Sequence, residues 1–74
     1  MKLTREELGL RLRFARQRAG IMQEVAGAAI ELDATAISKI EHGTRGIDAL
    51  ELLCLAKLYH ASMVDLLNEE RQAG

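Results

Sequence analysis

Small and apolar residues recur along the middle of the chain at the three- and four-residue intervals that are typical of helices. Between residues 23 and 43 they form two groups, which predicts two short helices joined by a tight turn. We expect the second of these helices to span roughly residues 34–42. The inward residues are predicted to be Ala26, Gly27 and Ile30 in the first helix, and Ile37 and Ile40 in the second.

Three residues support this division into helix, turn and helix. Gly27 has no side chain, so two backbones could approach closely there. Asp33 precedes the second helix as a candidate N-cap, and Gly43 follows it where a left-handed residue would end it. Together these features are typical of a helix-turn-helix.

The flanking segments also predict helices. Thr4 and Glu7 have the spacing of a capping box, so a first helix should begin at Thr4 and end before Gly20. Its inward stripe would be Leu8, Leu12 and Ala15. A fourth helix is expected from about Asp48 to His60, and a short fifth one after a capping box that begins at Ser62. The chain is therefore predicted to be all-α, a compact bundle of about five short helices. Residues 1–67 would form one domain, and residues 68–74 a flexible tail or the start of a linker.

The fourth helix carries two apolar stripes. One stripe should face the core, and consists of Ala49, Leu52, Leu53, Ala56 and Tyr59. The second stripe, Leu50, Cys54 and Leu58, lies where a monomeric domain usually places polar residues. It indicates either a helix that is buried on several sides or a surface that meets another subunit or domain.

Charge changes this picture only slightly. The net charge is −1, but residues 1–45 hold eight Lys and Arg against six Asp and Glu, a net of +2, whereas residues 46–74 have a net of −3. Five of the cations are arginines on or beside the first helix, where a solvated basic face is the simplest interpretation. Any affinity for nucleic acid should therefore depend on a local patch.

The sequence lacks the residues that several classes of function require. The single cysteine, Cys54, allows no intrachain disulfide or thiol zinc cluster, and its apolar surroundings favour packing. His42 and His60 have no second ligand at metal spacing, and no phosphate loop or nucleophile motif is present. We therefore expect no enzyme, no cofactor, no metal and no small-molecule ligand. No stretch resembles a signal peptide or membrane span, so we expect a cytoplasmic protein without membrane contact.

Three segments carry a resemblance to a known family. They are Gln23-Glu24, Ala26-Gly27 and Ile37-Ser38-Lys39-Ile40-Glu41-x-Gly43. This ordered set resembles the Cro/repressor-type helix-turn-helix domains, also called the XRE family, and the likeness extends over roughly residues 8–67. Two positions depart from the family pattern. Met22 stands where Ser or Thr usually caps the second helix, and Glu31 stands where the turn usually has a left-handed glycine.

The resemblance implies roles for particular residues. Arg16 and Glu41 would form a largely buried ion pair, which is structural. Gln23 would bind a DNA phosphate at a helix N-terminus, and the loop residues Thr44 and Arg45 would contact further phosphates. The last helix, through Leu66, and the stripe of Leu50, Cys54 and Leu58 would contribute a dimer or partner interface.

The second motif helix would enter the major groove of double-stranded DNA. Because Ile37 and Ile40 face inward, the outward residues are Ala34, Thr35, Ser38 and Lys39. Lys39 can donate to guanine and Thr35 can donate, accept or touch a thymine methyl, but no Arg, Asn or Gln offers a bidentate base contact. Modest specificity per monomer is therefore expected, with a homodimer needed for useful affinity.

Two functions follow from these features. The first is a sequence-specific DNA-binding transcriptional regulator of bacterial or phage type, which is expected to bind a roughly palindromic operator and to act as a repressor by occupying it. The second is a protein-interaction module of the same fold, antitoxin-like or part of a larger regulator, with weak or no DNA binding. Ala34 and Ala36 on the recognition helix, the net charge and the leucine stripe support the second.

Overall fold

The structure, a computed structural model, describes residues 2–69. Five α-helices follow one another without a strand in this part of the chain. The bounds are α1 Arg5–Ala19, α2 Gln23–Ala29, α3 Ala34–Glu41, α4 Ala49–Leu58 and α5 Met63–Leu67. The prediction of an all-α bundle of about five short helices is confirmed, and the predicted ends lie within two residues of those observed.

The expected caps are present. Thr4 Oγ1 accepts from the backbone N–H of Glu7 at 3.0 Å, and Asp33 Oδ1 accepts from that of Ala36 at 2.9 Å. Asp48 and Glu51 complete a reciprocal capping box at the start of α4. Each cap satisfies a backbone donor that the first turn of a helix otherwise leaves without a partner.

Left-handed residues end the helices as the sequence predicts. Gly43, two residues after the end of α3, has a φ of 78°, and Glu31 in the motif turn has a φ of 60° although it carries a side chain. A non-glycine residue costs about 1–2 kcal/mol in this conformation. The motif turn therefore keeps the family geometry at some cost in stability.

Close helix packing depends on two glycines. A Cβ added to Gly9 would overlap the carbonyl oxygen of Ile40, and one added to Gly27 would lie 2.7 Å from the carbonyl carbon of Asp33. Gly9 lets α1 cross α3, and Gly27 lets α2 approach the N-cap of α3. α1 and α2 thus fix α3 from two sides by direct backbone contact.

A single cluster of aliphatic side chains fills the centre. It is formed by Leu12, Ala26, Ile37, Ile40, Leu52, Leu55, Ala56, Tyr59 and Leu66. α1 packs against α3 and α5, while α2 packs against α3 and α4. Ala26, Gly27, Ile37 and Ile40 are buried as predicted.

Three expectations about the core are wrong. In α4 the prediction placed Ala49 and Leu53 in the core, but both are exposed, and it omitted Leu55, which is 1% exposed. Nearly every position of α4 is apolar, so the spacing alone does not specify which face turns inward. Leu66, predicted at an interface, is 4% exposed and belongs to the core, so it is not available on the monomer surface.

Candidate nucleic-acid interface

The outward face of α3 is the centre of the candidate site. Ile37 and Ile40 anchor the opposite face in the core, which leaves Thr35 and Lys39 exposed. The side chain of Lys39 makes no hydrogen bond or ion pair within residues 2–69. Ala34 and Ser38, also predicted to face outward, are half-buried. A cation and a hydroxyl side chain on a projecting helix can together donate to base edges or phosphates.

A buried ion pair holds this helix against α1. Arg16 Nε lies 2.6 Å from Glu41 Oε2, and Arg16 Nη2 lies 3.2 Å from Glu41 Oε1. The third guanidinium nitrogen donates to the backbone oxygen of Ile21 at 2.9 Å. The side chains of Arg16 and Glu41 are 11% and 2% exposed, and the hydrogen bond that Arg16 donates to Glu41 raises the pKa of Arg16. The pair implied by the resemblance is therefore present, and it fixes the end of α3 rather than binding a ligand.

Gln23 has a different partner from the one expected. Its amide nitrogen donates to Glu41 Oε1 at 3.0 Å, so it extends the ion pair into α2. Only one of the two amide N–H groups is used in this way. The second N–H is the part of Gln23 that remains for the predicted phosphate contact.

The loop after α3 is folded back onto the helix end. Thr44 donates to the backbone oxygen of Lys39 through both its backbone N–H at 2.9 Å and its hydroxyl at 3.2 Å. The guanidinium of Arg45 donates to the oxygen of Gly46 and lies 3.6 Å from Glu51. Arg45 is also half-buried. A phosphate that binds Arg45 would therefore compete with the carboxylate of Glu51, a partner that the sequence did not identify.

A cleft lies beside the ion pair. It has a volume of about 410 Å³ and is lined by Arg13, Arg16, Met22, Gln23, Glu24, Ala34, Glu41 and His42. The sequence prediction included neither Arg13 nor His42 in the site. His42 could have been found from its spacing, because Thr35, Ser38, Lys39 and His42 lie on one side of a helix.

Residues 7–69 match the family described as "Helix-turn-helix domain". The chain belongs to the helix-turn-helix family. The matched region extends from the first turn of α1 to two residues beyond α5, and it confirms the family-level resemblance.

Solved structures of regulators resemble this helix-turn-helix protein over most of their length. The clp gene regulator ClgR from C. glutamicum superposes with a TM-score of 0.79 at 28% identity, covering 88% of this chain and 83% of that one. The restriction-modification controller protein C.AhdI from Aeromonas hydrophila gives 0.75 at 27% identity, with coverages of 84% and 90%. A point mutant of the controller protein C.Esp1396I gives 0.71 at 25% identity, with coverages of 89% and 85%. No curated protein sequence matches the chain significantly.

The residues of α4 that were predicted to form a dimer or partner interface of the helix-turn-helix protein are not equally exposed. Leu50 is 79% exposed, but Cys54 and Leu58 are half-buried, and the Cys54 thiol donates to the oxygen of Ala29 at 3.4 Å. The other large apolar residues of α4 and α5 that are exposed are Leu53, Val64 and Leu67. An apolar surface therefore exists on these two helices, although Leu50 is the only predicted member that is fully on it.

Arg11 has a structural role that the sequence did not reveal. It donates to the backbone oxygens of Leu66 and Asn68 at 2.9 and 2.7 Å, and it pairs with Glu7 at 3.5 Å. A guanidinium at this position satisfies carbonyls that the end of α5 leaves free. Arg11 therefore does not belong to a solvated basic face.

Within residues 2–69, no group of three or more His, Cys, Asp or Glu side chains could hold a metal ion. None of the five helices is both long enough and apolar enough to span a bilayer.

Proposed function

We propose that this protein is a sequence-specific DNA-binding transcriptional regulator that acts as a homodimer, and that it represses by occupying a roughly palindromic operator. α3 would lie in the major groove with its first turns against the base edges. Binding to chromosomal or phage DNA would place the protein in the cytoplasm.

The observation that carries the proposal is the exposure of Thr35 and Lys39 on a helix that is otherwise fixed. Ile37 and Ile40 hold its inner face, and the bond of Arg16 to Glu41 holds its end. A rigid element whose outward side chains are free to donate is what direct readout requires. The names of the similar structures, a gene regulator and two controller proteins, support a regulatory role.

The dimer is supported by the apolar surface on α4 and α5. Leu50 and Val64 are 79% and 75% exposed, and a monomer gains nothing from such exposure. A two-fold dimer would present two copies of α3 about one DNA turn apart. This arrangement would supply the affinity that a single Lys39 on the recognition helix does not.

The experiment begins with selection of bound sequences from a library of random or genomic DNA fragments, followed by titration of the best site. Lys39→Ala should weaken that site by about 1–3 kcal/mol and relax the preference at one base pair. Arg45→Ala should weaken all sequences alike and lower the salt slope by about 0.9 per lost phosphate contact. Arg18→Ala, which removes an exposed cation elsewhere on α1, is the control. DNA binding that both variants leave unaltered would contradict these assignments.

The alternative is a protein-interaction module, and specific contacts favour it. Gln23 and Arg45 are two of the predicted phosphate ligands, but Gln23 donates to Glu41 and Arg45 is in an ion pair with Glu51. The same selection separates the two functions. A chain that forms dimers but enriches no DNA sequence would establish the alternative.

A further inference from the structure

The cleft between α1, α2 and α3 contains a free cation at its edge. Arg13 on α1 is exposed and makes no ion pair or hydrogen bond within residues 2–69. Arg16, which lines the same cleft, is occupied by Glu41 and by the oxygen of Ile21. Arg13 is therefore the arginine of this cleft that can bind a ligand.

His42 lies across the cleft, directly after the last residue of α3. At 100° per residue it falls between Ser38 and Lys39 on the helix surface, close to the direction of Thr35. It thus shares the outward face from which we propose that DNA is read. Its ring is exposed, and it lines the cleft together with Arg13.

The hydrogen bond of His42 fixes which ring nitrogen carries the proton. Nδ1 lies 2.8 Å from the backbone oxygen of Ser38, and a carbonyl oxygen can only accept. Nδ1 therefore carries the hydrogen in the neutral ring, which leaves Nε2 with a lone pair. Nε2 can donate to an anion only when the ring is protonated, and a cation at this end of α3 also meets the negative end of the helix dipole.

The formal charges of the cleft lead to the same requirement. Arg16 and Glu41 cancel, and Arg13 is balanced by Glu24 at the start of α2. With a neutral His42 the lining has no net charge. Protonation of His42 gives it a charge of +1, which favours an anion.

We propose that this cleft is a phosphate-binding site in which Arg13 and the protonated ring of His42 together bind one phosphate of the DNA backbone. The proposal rests on the proposed DNA-binding function and adds α1 to the DNA contacts. Because binding requires the protonated ring, a proton is taken up when the free protein is neutral at His42. DNA affinity should therefore increase as pH falls through the range, about pH 8 to 6, in which imidazoles ordinarily gain their charge.

The charged groups that face His42 are few. α1 contributes Arg13 and Arg16, together with Glu6, which packs against the neighbouring Gly43. α2 contributes Glu24, and α3 contributes Glu41 and Lys39. Among these side-chain types, imidazole is the one that ordinarily changes its charge near neutral pH.

The test measures the affinity of the full chain for its selected DNA site at about pH 6 and about pH 8, at one ionic strength. Wild type should bind roughly tenfold more tightly at the lower pH, as expected for one added charge-assisted contact. His42→Gln should remove this dependence, whereas His60→Gln, which changes a histidine outside the cleft, should leave it intact. A pH dependence that persists in His42→Gln and disappears in His60→Gln would overturn the proposal.

Arg13 is tested by its effect on the salt dependence. Arg13→Ala should weaken selected and unselected DNA alike, roughly tenfold, and lower the slope of log affinity against log salt by about 0.9. Arg13→Lys should restore most of the loss, since a phosphate accepts a point charge. Arg18→Ala, on another side of the same helix, should have no effect. Circular dichroism and thermal unfolding check that each variant is folded.

Failure of this site and failure of DNA binding give different results. If wild type enriches no DNA sequence, both the proposed function and this site are wrong. If wild type binds DNA and Lys39→Ala weakens it, but Arg13→Ala and His42→Gln do not, only the phosphate site is wrong. As a readout besides affinity, the NMR signal of the His42 ring should titrate at a higher pH in the DNA complex than in the free protein. An unchanged titration on DNA binding would exclude the ring as a ligand.

Discussion

Helices α3 and α4 begin with the same kind of N-cap and each bury one aliphatic face, but their outward faces differ in chemistry. Each begins at an aspartate whose carboxylate accepts from the backbone three residues later, at 2.9 Å from Ala36 and 2.7 Å from Glu51. Each also buries an aliphatic face in the same core. The outward face of α3 carries Lys39 and hydroxyl side chains, while that of α4 carries leucines.

The difference shows that the N-cap and the apolar spacing decide where a helix forms, whereas the outward side chains decide what it can bind. A polar outward face suits hydrogen-bond donors and phosphates, whereas an apolar one gains free energy only when another surface covers it. The two helices are also held differently. A charged network of Arg16, Glu41 and Gln23 holds α3, while α4 depends on Leu52, Leu55 and other apolar side chains.

The largest effect is expected from removing the anion that holds α3. Glu41→Ala leaves Arg16 largely buried without its partner, which should lower the free energy of unfolding by about 3–5 kcal/mol. Urea denaturation measures this loss. The matched change beside α4 is Glu51→Ala, which breaks the more exposed pair with Arg45 and one capping bond, and should cost about 1–2 kcal/mol. Equal losses in the two variants would remove the distinction between the helices.

A smaller effect is expected on the outward face of α4. If Leu50 is covered in a dimer, Leu50→Lys should weaken dimerisation by about 1.5–3 kcal/mol per side chain. Because Leu50 is exposed in the monomer, stability of the monomer should change by less than about 0.5 kcal/mol. Sedimentation velocity over a range of concentrations reports the association. Leu10→Lys, on the surface of α1, is the control, and a dimer that survives Leu50→Lys would place the interface elsewhere.

The smallest effect is expected where α4 meets the ion pair that holds α3. The hydroxyl of Tyr59 is buried without a hydrogen-bond partner within residues 2–69. Burial, and to a smaller extent the charge of Glu41, raises the pKa of Tyr59 to about 12, while the charge of Arg16 has a smaller, opposing effect. Below pH 10, Tyr59→Phe should therefore change the free energy of unfolding by no more than about 1 kcal/mol.

The pH dependence of Tyr59 gives a sharper comparison. As pH rises from about 10 to about 12, tyrosine ionises in the unfolded chain but not in the folded one, so wild type loses stability over this interval. The contribution is complete below the unfolded pKa and is lost as pH rises towards the folded one. Tyr59→Phe should lack this component. Identical pH profiles of the two proteins between pH 10 and 12 would show that the hydroxyl is not held in a low-dielectric site.

Local sequence signals predicted the elements well because they act over three or four residues. Thr4, Asp33 and Asp48 cap the helices that follow them, and Gly43 takes the left-handed conformation. The bond between Arg16 and Glu41, separated by 25 residues, followed only from the family resemblance. Spacing alone has no means of pairing two charges that are distant in the chain.

The candidate site was predictable in part. The outward position of Thr35 and Lys39 followed from the inward position of Ile37 and Ile40. The partners of Gln23 and Arg45 did not, because both contact carboxylates brought near by other helices.

The sequence by itself determined the number of helices, their caps and the two faces of α3, because these depend on neighbouring residues and on the helical period. Only the tertiary structure decided which face of α4 turns inward, that Leu66 is buried, and that Arg11 caps α5. Those outcomes depend on which surfaces meet across the core. Where almost every position of a helix is apolar, several orientations satisfy the same pattern, and packing against the other helices selects one.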